Sequence, residues 1–402
     1  MAVTMYEALR YIEKNSVAVS SEIIPIENAY GRISASSLFA TVALPSFNNS
    51  AMDGFALKGD HKTYTIVGKI LAGDRHTYQL QDGECIKILT GARVPQDVDS
   101  IIPQENVTID EKHITINKPV PYGANIRHKG EDIDIDQPIV RQGDVITSAH
   151  IGLFASQGIT HIDVYRPLRV AVFGSGSELK LHFEKIDEAE IFNSNTPYLL
   201  SRAQELGAQT RFIGKSDDSV ESLKKLITSA LDCDLIVTSG GVSVGEADFT
   251  KQAFTELGME IYFTKVLVKP GKPTTFGKIG DTAVLNLPGN PLASALNFEI
   301  FGKFLINKLS GKAHIYPNYI QSKLSKELSS PRPVANIIPG TFNGQTFTPA
   351  NQYAPGMVNV LNHCNALIVM AEETNKIEKE ESVKVLPIQW EFFTKEFREF
   401  MS

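Results

Sequence analysis

Between about Pro167 and Gly311 the chain alternates short apolar runs with amphipathic stretches. "RVAVFGSG", "TRFIG", "DLIVTSGG" and "TAVLNLPGNP" are strand-like runs that mostly end in Gly, Ser, Asn or Pro. "TPYLLSRAQELGA", "DSVESLKKLITSALD", "DFTKQAFTELG" and "SALNFEIFGKFLINKLSG" carry apolar residues at helical spacing. That alternation predicts a doubly wound, largely parallel α/β sheet. From about Leu44 to Asp134 the texture changes: "TYTIVGKIL", "GECIKILTGARVP", "SIIPQENVTI" and "HITINKPV" are short strands between turn residues, which predicts a β-rich unit. "DVITSAHIGLFASQGI" reads as helical and is expected to share a small helical unit with "ENAYGRISASSL". From about His314 the pattern is β-like again, a separate small barrel or sandwich. The opening "MAVTMYEALRYIEKNS" spaces Glu7, Arg10, Glu13 and Lys14 among apolar residues, as an amphipathic helix and not a signal peptide does.

Composition narrows the function. The 402 residues suggest two to four domains, and 42% hydrophobic with 21% charged residues is an ordinary globular mixture. A net charge of −7 speaks against a general nucleic-acid binder. No apolar run approaches the ~20 residues that span a bilayer, so a cytoplasmic protein without membrane partners is expected. Three scattered cysteines, Cys85, Cys233 and Cys364, support neither a disulfide framework nor a cysteine-rich zinc site.

Chemistry gathers where the strands of the α/β segment end, the edge at which such sheets bind ligands. After "VFG" come Ser175, Gly176, Ser177 and Glu178; Leu179 occupies the third position of a dinucleotide glycine fingerprint, so that reading fails. Glu178 is either a partner at a helix start or a carboxylate directed at a metal. In "VTSGGVSVGEADF", Gly240, Gly241, Ser243 and Gly245 make a loop whose N–H groups can converge on an anion, with Thr238, Ser239 and Ser243 as hydroxyl donors. Asp248 there is either a helix-start carboxylate or a functional acid. "LPGNP" (Pro288, Gly289, Asn290, Pro291), with Ser294 behind it, predicts a third anion-receptive helix start, an exposed one. In "KVLVKPGKPTTFG", Lys265 and Lys269 are expected on one face of a single strand, roughly 13 Å apart. Lys272 follows in a turn made by Pro270, Gly271 and Pro273. These are either ordinary surface lysines or a fixed array for a polyanion; the three neighbouring loops favour the array.

Six stretches together resemble the molybdopterin molybdenumtransferases, the MoeA and gephyrin E-domain class: "SFNNSAMDGFA", "LTGARVP", "NIRHKGEDI", "SGGVSVGEADF", "KVLVKPGKP" and "LPGNP". They stand in the family's order across the chain to about residue 311. The resemblance implies an elongated subunit of four parts. These are a helical linker unit (20–40 and 135–166), a β-rich unit (41–134), an α/β molybdopterin-binding unit of the MogA type (1–19 and 167–313) and a C-terminal β-barrel (314–402). It implies a homodimer with each site shared between subunits, and Mg²⁺-dependent insertion of molybdate into adenylylated molybdopterin with release of AMP. It further implies a pterin adenylyltransferase or apo-molybdoenzymes as partners.

Carried onto this sequence, the resemblance implies Asp53, Thr90 and Asp132 as catalytic residues of the β-rich unit. Those of the α/β unit are Glu178, Asp248, Lys265 and Lys269. Glu178, Asp217 and Asp248 would hold the metal, with Asp218 beside them at the substrate. Ser177 stands where the family commonly has an acid. In the last part Asn336 follows Arg332 where a second arginine is frequent, and Asn359 and Val360 replace common serines. The alternatives are a pterin adenylyltransferase, which shares the α/β loops but needs no "MDGF" unit, a gephyrin-like scaffold without catalysis, and a paralogue selecting another oxyanion such as tungstate.

Overall fold

The structure, a computed structural model, describes residues 1–75, 78–216, 219–241, 249–330 and 334–389. Contacts gather the chain into two compact units: Met1–Ser36, Gln142–Thr147 and the chain from His161 onward form one, and Ser37–Arg141 with Ser148–Thr160 form the other.

In the first unit a six-stranded sheet runs in the order Gln209–Ser216, Arg169–Ser175, Leu235–Ser239, Thr282–Leu287, Thr275–Ile279, Glu260–Phe263. The first four strands are parallel, and the last two add on antiparallel. This is the α/β sheet that the alternation predicts. Its central strands are buried throughout, and both faces are covered. Val237 and Leu285 pack on one side; Ile236 and Val284 pack on the other. The helices start where the sequence places starts. Thr4 caps Met5–Lys14 in a capping box with Glu7, and the Ser219 hydroxyl accepts from the Ser222 N–H at the head of Val220–Thr228. The predicted "SALNFEIF" helix runs as Pro291–Asn297, a π turn Phe298–Gly302 and Lys303–Leu309.

The same unit contains the C-terminal barrel. Ile320–Leu324, Thr346–Pro349, Ala335–Phe342, Ala366–Met370 and Ser382–Pro387 pair in a ring that closes on itself. Leu324, Ile338, Phe347, Ile368 and Val385 fill it.

The second unit is the expected β-rich one. Its sheet has the order Ser100–Pro103, Gly54–Leu57, Glu84–Ile88, Thr63–Ile70, His113–Ile116, Val107–Asp110.

Two expectations are corrected. The stretches 20–40 and 135–166, expected to be helical, hold two antiparallel strand pairs and one α-helix, Ser148–Ser156. "SEIIP" and "HIDVY" are rich in β-branched residues and pair with each other, while "ENAYGRI" keeps only a 3₁₀ turn before Gly31 turns the chain at φ +75°. The segment 260–269 is also not one strand. Glu260–Phe263, Lys265–Val266 and Val268–Lys269 pair with three different partners: Thr275–Ile279, Ala2–Val3 and Ala335–Asn336. Alternation along a continuous strand therefore does not place Lys265 and Lys269.

Candidate active site

At the carboxyl edge of the parallel strands, close backbone packing selects glycine. A Cβ on Gly240 would lie 2.3 Å from the Ser175 carbonyl oxygen, and Gly240 itself has φ +99°. Gly241 (φ +67°) leaves no room either, because a Cβ there would meet the Thr250 hydroxyl at 1.9 Å. The Gly240 N–H donates to the Leu287 carbonyl at 3.2 Å, so the "SGG" and "LPGN" turns are bonded to each other. Asn195, which the sequence reading passed over, strengthens that link. Its Nδ2 donates to Ser239 Oγ at 2.8 Å and to the Gly289 carbonyl at 2.7 Å. The available signal was its place in "FNSNTP", a polar cluster just before a helical period.

Ser239 is thereby corrected as a free donor: its hydroxyl donates to the Pro288 carbonyl at 2.8 Å. The start of the Pro291–Asn297 helix is also not exposed. The Pro355 carbonyl accepts from the Leu292 N–H at 2.9 Å and the Ala293 N–H at 3.3 Å. Leu292 and Ala293 are buried, and Ser294 is fully buried with an unpartnered hydroxyl. Gly289 and Asn290 at this edge are both exposed, next to buried Pro288. A cavity of about 370 Å³ opens beside Asn195, Pro291 and Met357. Ser175 and Gly176 lie buried at the adjoining strand end, and Glu178 is exposed two residues on.

The lysine turn is built from the next strand connection. Lys265, Lys269 and Lys272 are all exposed, between the buried Val266, Val268 and Pro270. The Val266 N–H donates to the Lys272 carbonyl at 2.8 Å, closing the loop. Asn297, a second residue the sequence reading missed, is fully buried. Its Nδ2 donates to the Pro270 carbonyl at 2.9 Å and the Ala293 carbonyl at 2.7 Å. Gly271 (φ +102°) is required there, because a Cβ would overlap that Nδ2 at 1.9 Å.

In the second unit three motif loops are hydrogen-bonded into one cluster. Asn49–Ser50 pairs with Ile126–Arg127, the Ser50 N–H donates to the Ala92 carbonyl, and the Lys129 N–H donates to Asn48 Oδ1. Asp53 and Thr90 are brought together: Asp53 Oδ1 accepts from the Thr90 N–H at 2.7 Å and its hydroxyl at 2.8 Å. Those bonds, the backbone one first, hold the Asp53 carboxyl below its ordinary value. Gly54 is fixed by sheet packing, since a Cβ would lie 2.0 Å from the Ile102 carbonyl oxygen. Asp132 is exposed, and its N–H donates to the Leu44 carbonyl.

Asp217, Asp218, Ser243, Gly245 and Asp248 lie outside the described residues. Among the described residues no group of three His, Cys, Asp or Glu could hold a metal ion. Glu178 is thus the one described member of the expected metal set. No helix among the described residues is long and apolar enough to cross a membrane.

Comparison with known proteins agrees with this layout. Residues 3–158 match the MoeA N-terminal region (domain I and II), and residues 171–308 match a probable molybdopterin binding domain. A molybdopterin molybdenumtransferase of Haemophilus influenzae is 33% identical over 309 residues, 75% of this chain and 76% of that protein. One of Staphylococcus epidermidis is 29% identical over 408 residues, 98% and 97% of the two chains. The crystal structure of the molybdopterin biosynthesis MoeA protein of Pyrococcus horikosii superposes with a TM-score of 0.83 at 26% identity, covering 97% of this chain and 100% of that one. The chain therefore belongs to the molybdopterin molybdenumtransferase family, transferases of molybdenum cofactor biosynthesis.

Proposed function

We propose that this protein inserts molybdate into adenylylated molybdopterin in a magnesium-dependent reaction that releases AMP. The observation that carries the reading is the lysine turn: three exposed cations on a loop held by buried hydrogen bonds to the helix that follows the "LPGNP" turn. Lysine is usually a mobile, solvated charge. A fixed backbone under three of them suits a ligand with several anionic groups, such as a pyrophosphate and an oxyanion dianion.

In this reading Lys265, Lys269 and Lys272 offset substrate charge and orient the oxyanion. The exposed Gly289 and Asn290, with the cavity beside Asn195, receive the pterin nucleotide. Magnesium prefers oxygen donors and needs only one or two carboxylates, so exposed Glu178 suits it as one ligand, with Asp217 and Asp248 as the expected others. When bound, the ion would screen the phosphates and ease departure of AMP. Asp53, Thr90 and Asp132 act on a site completed by a second copy of the chain, so the active form is a homodimer. The Thr90 bonds favour the ionised Asp53 carboxylate, which suits it to accepting a hydrogen bond or facing a cation.

The test is to incubate the purified protein with adenylylated molybdopterin and molybdate and to follow AMP. Release that requires molybdate and stops on chelation of magnesium is expected. No release under those conditions, or adenylation of free molybdopterin from ATP, would overturn the proposal.

A further inference from the structure

We infer that Asn297 is a positioning residue for the lysine turn, setting where Lys269 and Lys272 stand without touching the substrate. The inference rests on the reading of those lysines as anion ligands. Asn297 lies in the buried face of its helix, in the run "LASALNFEIF", whose other positions are apolar except Ser294 and Glu299. A buried side-chain amide is costly unless its groups are paired, and here they are. Nδ2 donates to the Pro270 and Ala293 carbonyls, and Oδ1 accepts from the Thr274 hydroxyl at 3.2 Å. The Thr274 hydroxyl also lies 2.9 Å from the Gly271 carbonyl, and Thr274 is itself fully buried. Asn297 therefore grips the turn at Pro270 and at Thr274, on either side of Gly271 and Lys272 and directly after Lys269. Pairing with Ala293, one helical turn back, pins the amide to its own helix, so the grip is anchored at both ends.

The residue also explains the local sequence. Gly271 is the only type that leaves space for the Asn297 amide. An apolar residue at 297 would pack in this core but would release the Pro270 carbonyl, and the turn would no longer be held in one place. Lys269 and Lys272 would lose their fixed placement, while Lys265 would stay on its strand.

The experiment measures molybdate binding by calorimetry in Asn297→Ala, Lys269→Ala and the double variant, with melting temperatures for each. Phe304→Leu, a substitution elsewhere in the same core, serves as the control for lost stability. Asn297→Ala is expected to weaken molybdate binding about tenfold or more, since misplacing a binding group carries a cost of that order. Phe304→Leu, at a comparable loss of melting temperature, should bind as the unmodified protein does. In the double variant the Asn297 change should add less to Lys269→Ala than it costs alone, because part of it acts through that lysine and only the part through Lys272 remains. Unchanged binding in Asn297→Ala, or full additivity, overturns the inference while leaving the lysines in their role. Unchanged binding in Lys269→Ala overturns the reading of the lysines instead. If Asn297→Ala does not fold, Thr274→Val removes one of the same bonds and is judged by the same outcomes.

Discussion

Lys265 and Lys269 are exposed residues, so their removal should cost binding and not folding. A hydrogen bond to a charged group contributes roughly 1.5–3 kcal/mol, about 10- to 150-fold. Lys265→Ala and Lys269→Ala should each lower AMP release at least about tenfold with the circular-dichroism spectrum unchanged; undiminished turnover in both would return them to ordinary surface lysines. At Asp53 the sign of the pH effect follows from geometry. Both Thr90 bonds favour the ionised carboxylate. Their stabilisation is therefore complete above the unfolded-state pKa and is lost as pH falls through the lower folded one. Thr90→Val keeps the larger backbone contribution and removes the hydroxyl. The Asp53 titration, followed by carboxyl carbon NMR, should move partway back toward 3.8. A curve that does not move would show that the hydroxyl has no part in holding the charge.

At the scale of the element, the helix through residues 291–309 does two jobs at successive positions. Asn297 holds the lysine turn, and Glu299, in the π turn that follows, holds the Asn195–Glu205 helix. Arg202 Nε donates to Glu299 Oε1 at 2.7 Å and Nη2 donates to Oε2 at 2.9 Å; the Tyr198 hydroxyl adds a third bond at 3.1 Å. Both charged side chains are buried, 8% and 3% exposed. Burial is the largest single influence and opposes the Arg202 charge, but the Glu299 bonds together with the charges of Glu299 and its neighbours outweigh it and raise the pKa. Removing one member of such a pair strands the other, at a cost of about 3–5 kcal/mol. Glu299→Gln should fall at the low end of that range, because Glu205 also reaches Arg202. Urea denaturation measures it, and a change below about 1 kcal/mol would mean that the Arg202 charge finds water instead. The cavity beside Asn195 is walled by the same two helices, with Met357 and Leu361 among its other lining residues.

At the scale of the molecule, the proposed chemistry is divided. Asp53, Thr90 and Asp132 belong to one compact unit, and the lysines and glycine turns belong to the other. A two-fold dimer can combine such units in trans, with two equivalent sites to which each chain contributes. The Asp53→Asn and Lys269→Ala proteins are each expected to keep about a tenth of the activity or less. Dissociated, mixed equally and reassociated, half of the dimers become mixed, and in each of these one site carries both lesions and the other none. Activity should return to roughly a quarter of the unmodified level. No recovery, with exchange verified by native mass measurement, would place the whole site within one chain.

The alternation of apolar runs and amphipathic stretches was enough to expect the α/β sheet, its helices and the glycine turns at its strand ends. Those features follow from side-chain periodicity and from residues such as Gly240 whose backbone conformation few others adopt. The family resemblance, carried by loops that stand in order along the chain, was legible for the same reason. Tertiary structure alone decided what those loops are bonded to. Asn195 meets Gly289 across 94 positions, and Pro355 covers the helix start at Leu292 from the barrel side of the chain. The lysine segment reads as one strand locally, yet its three pieces found partners at residues 2–3, 275–279 and 335–336. A strand's partner is chosen by which edge lies beside it once the chain has collapsed, and a buried amide such as Asn297 finds its role only when distant carbonyls arrive. Neither choice is encoded in the period of the local sequence.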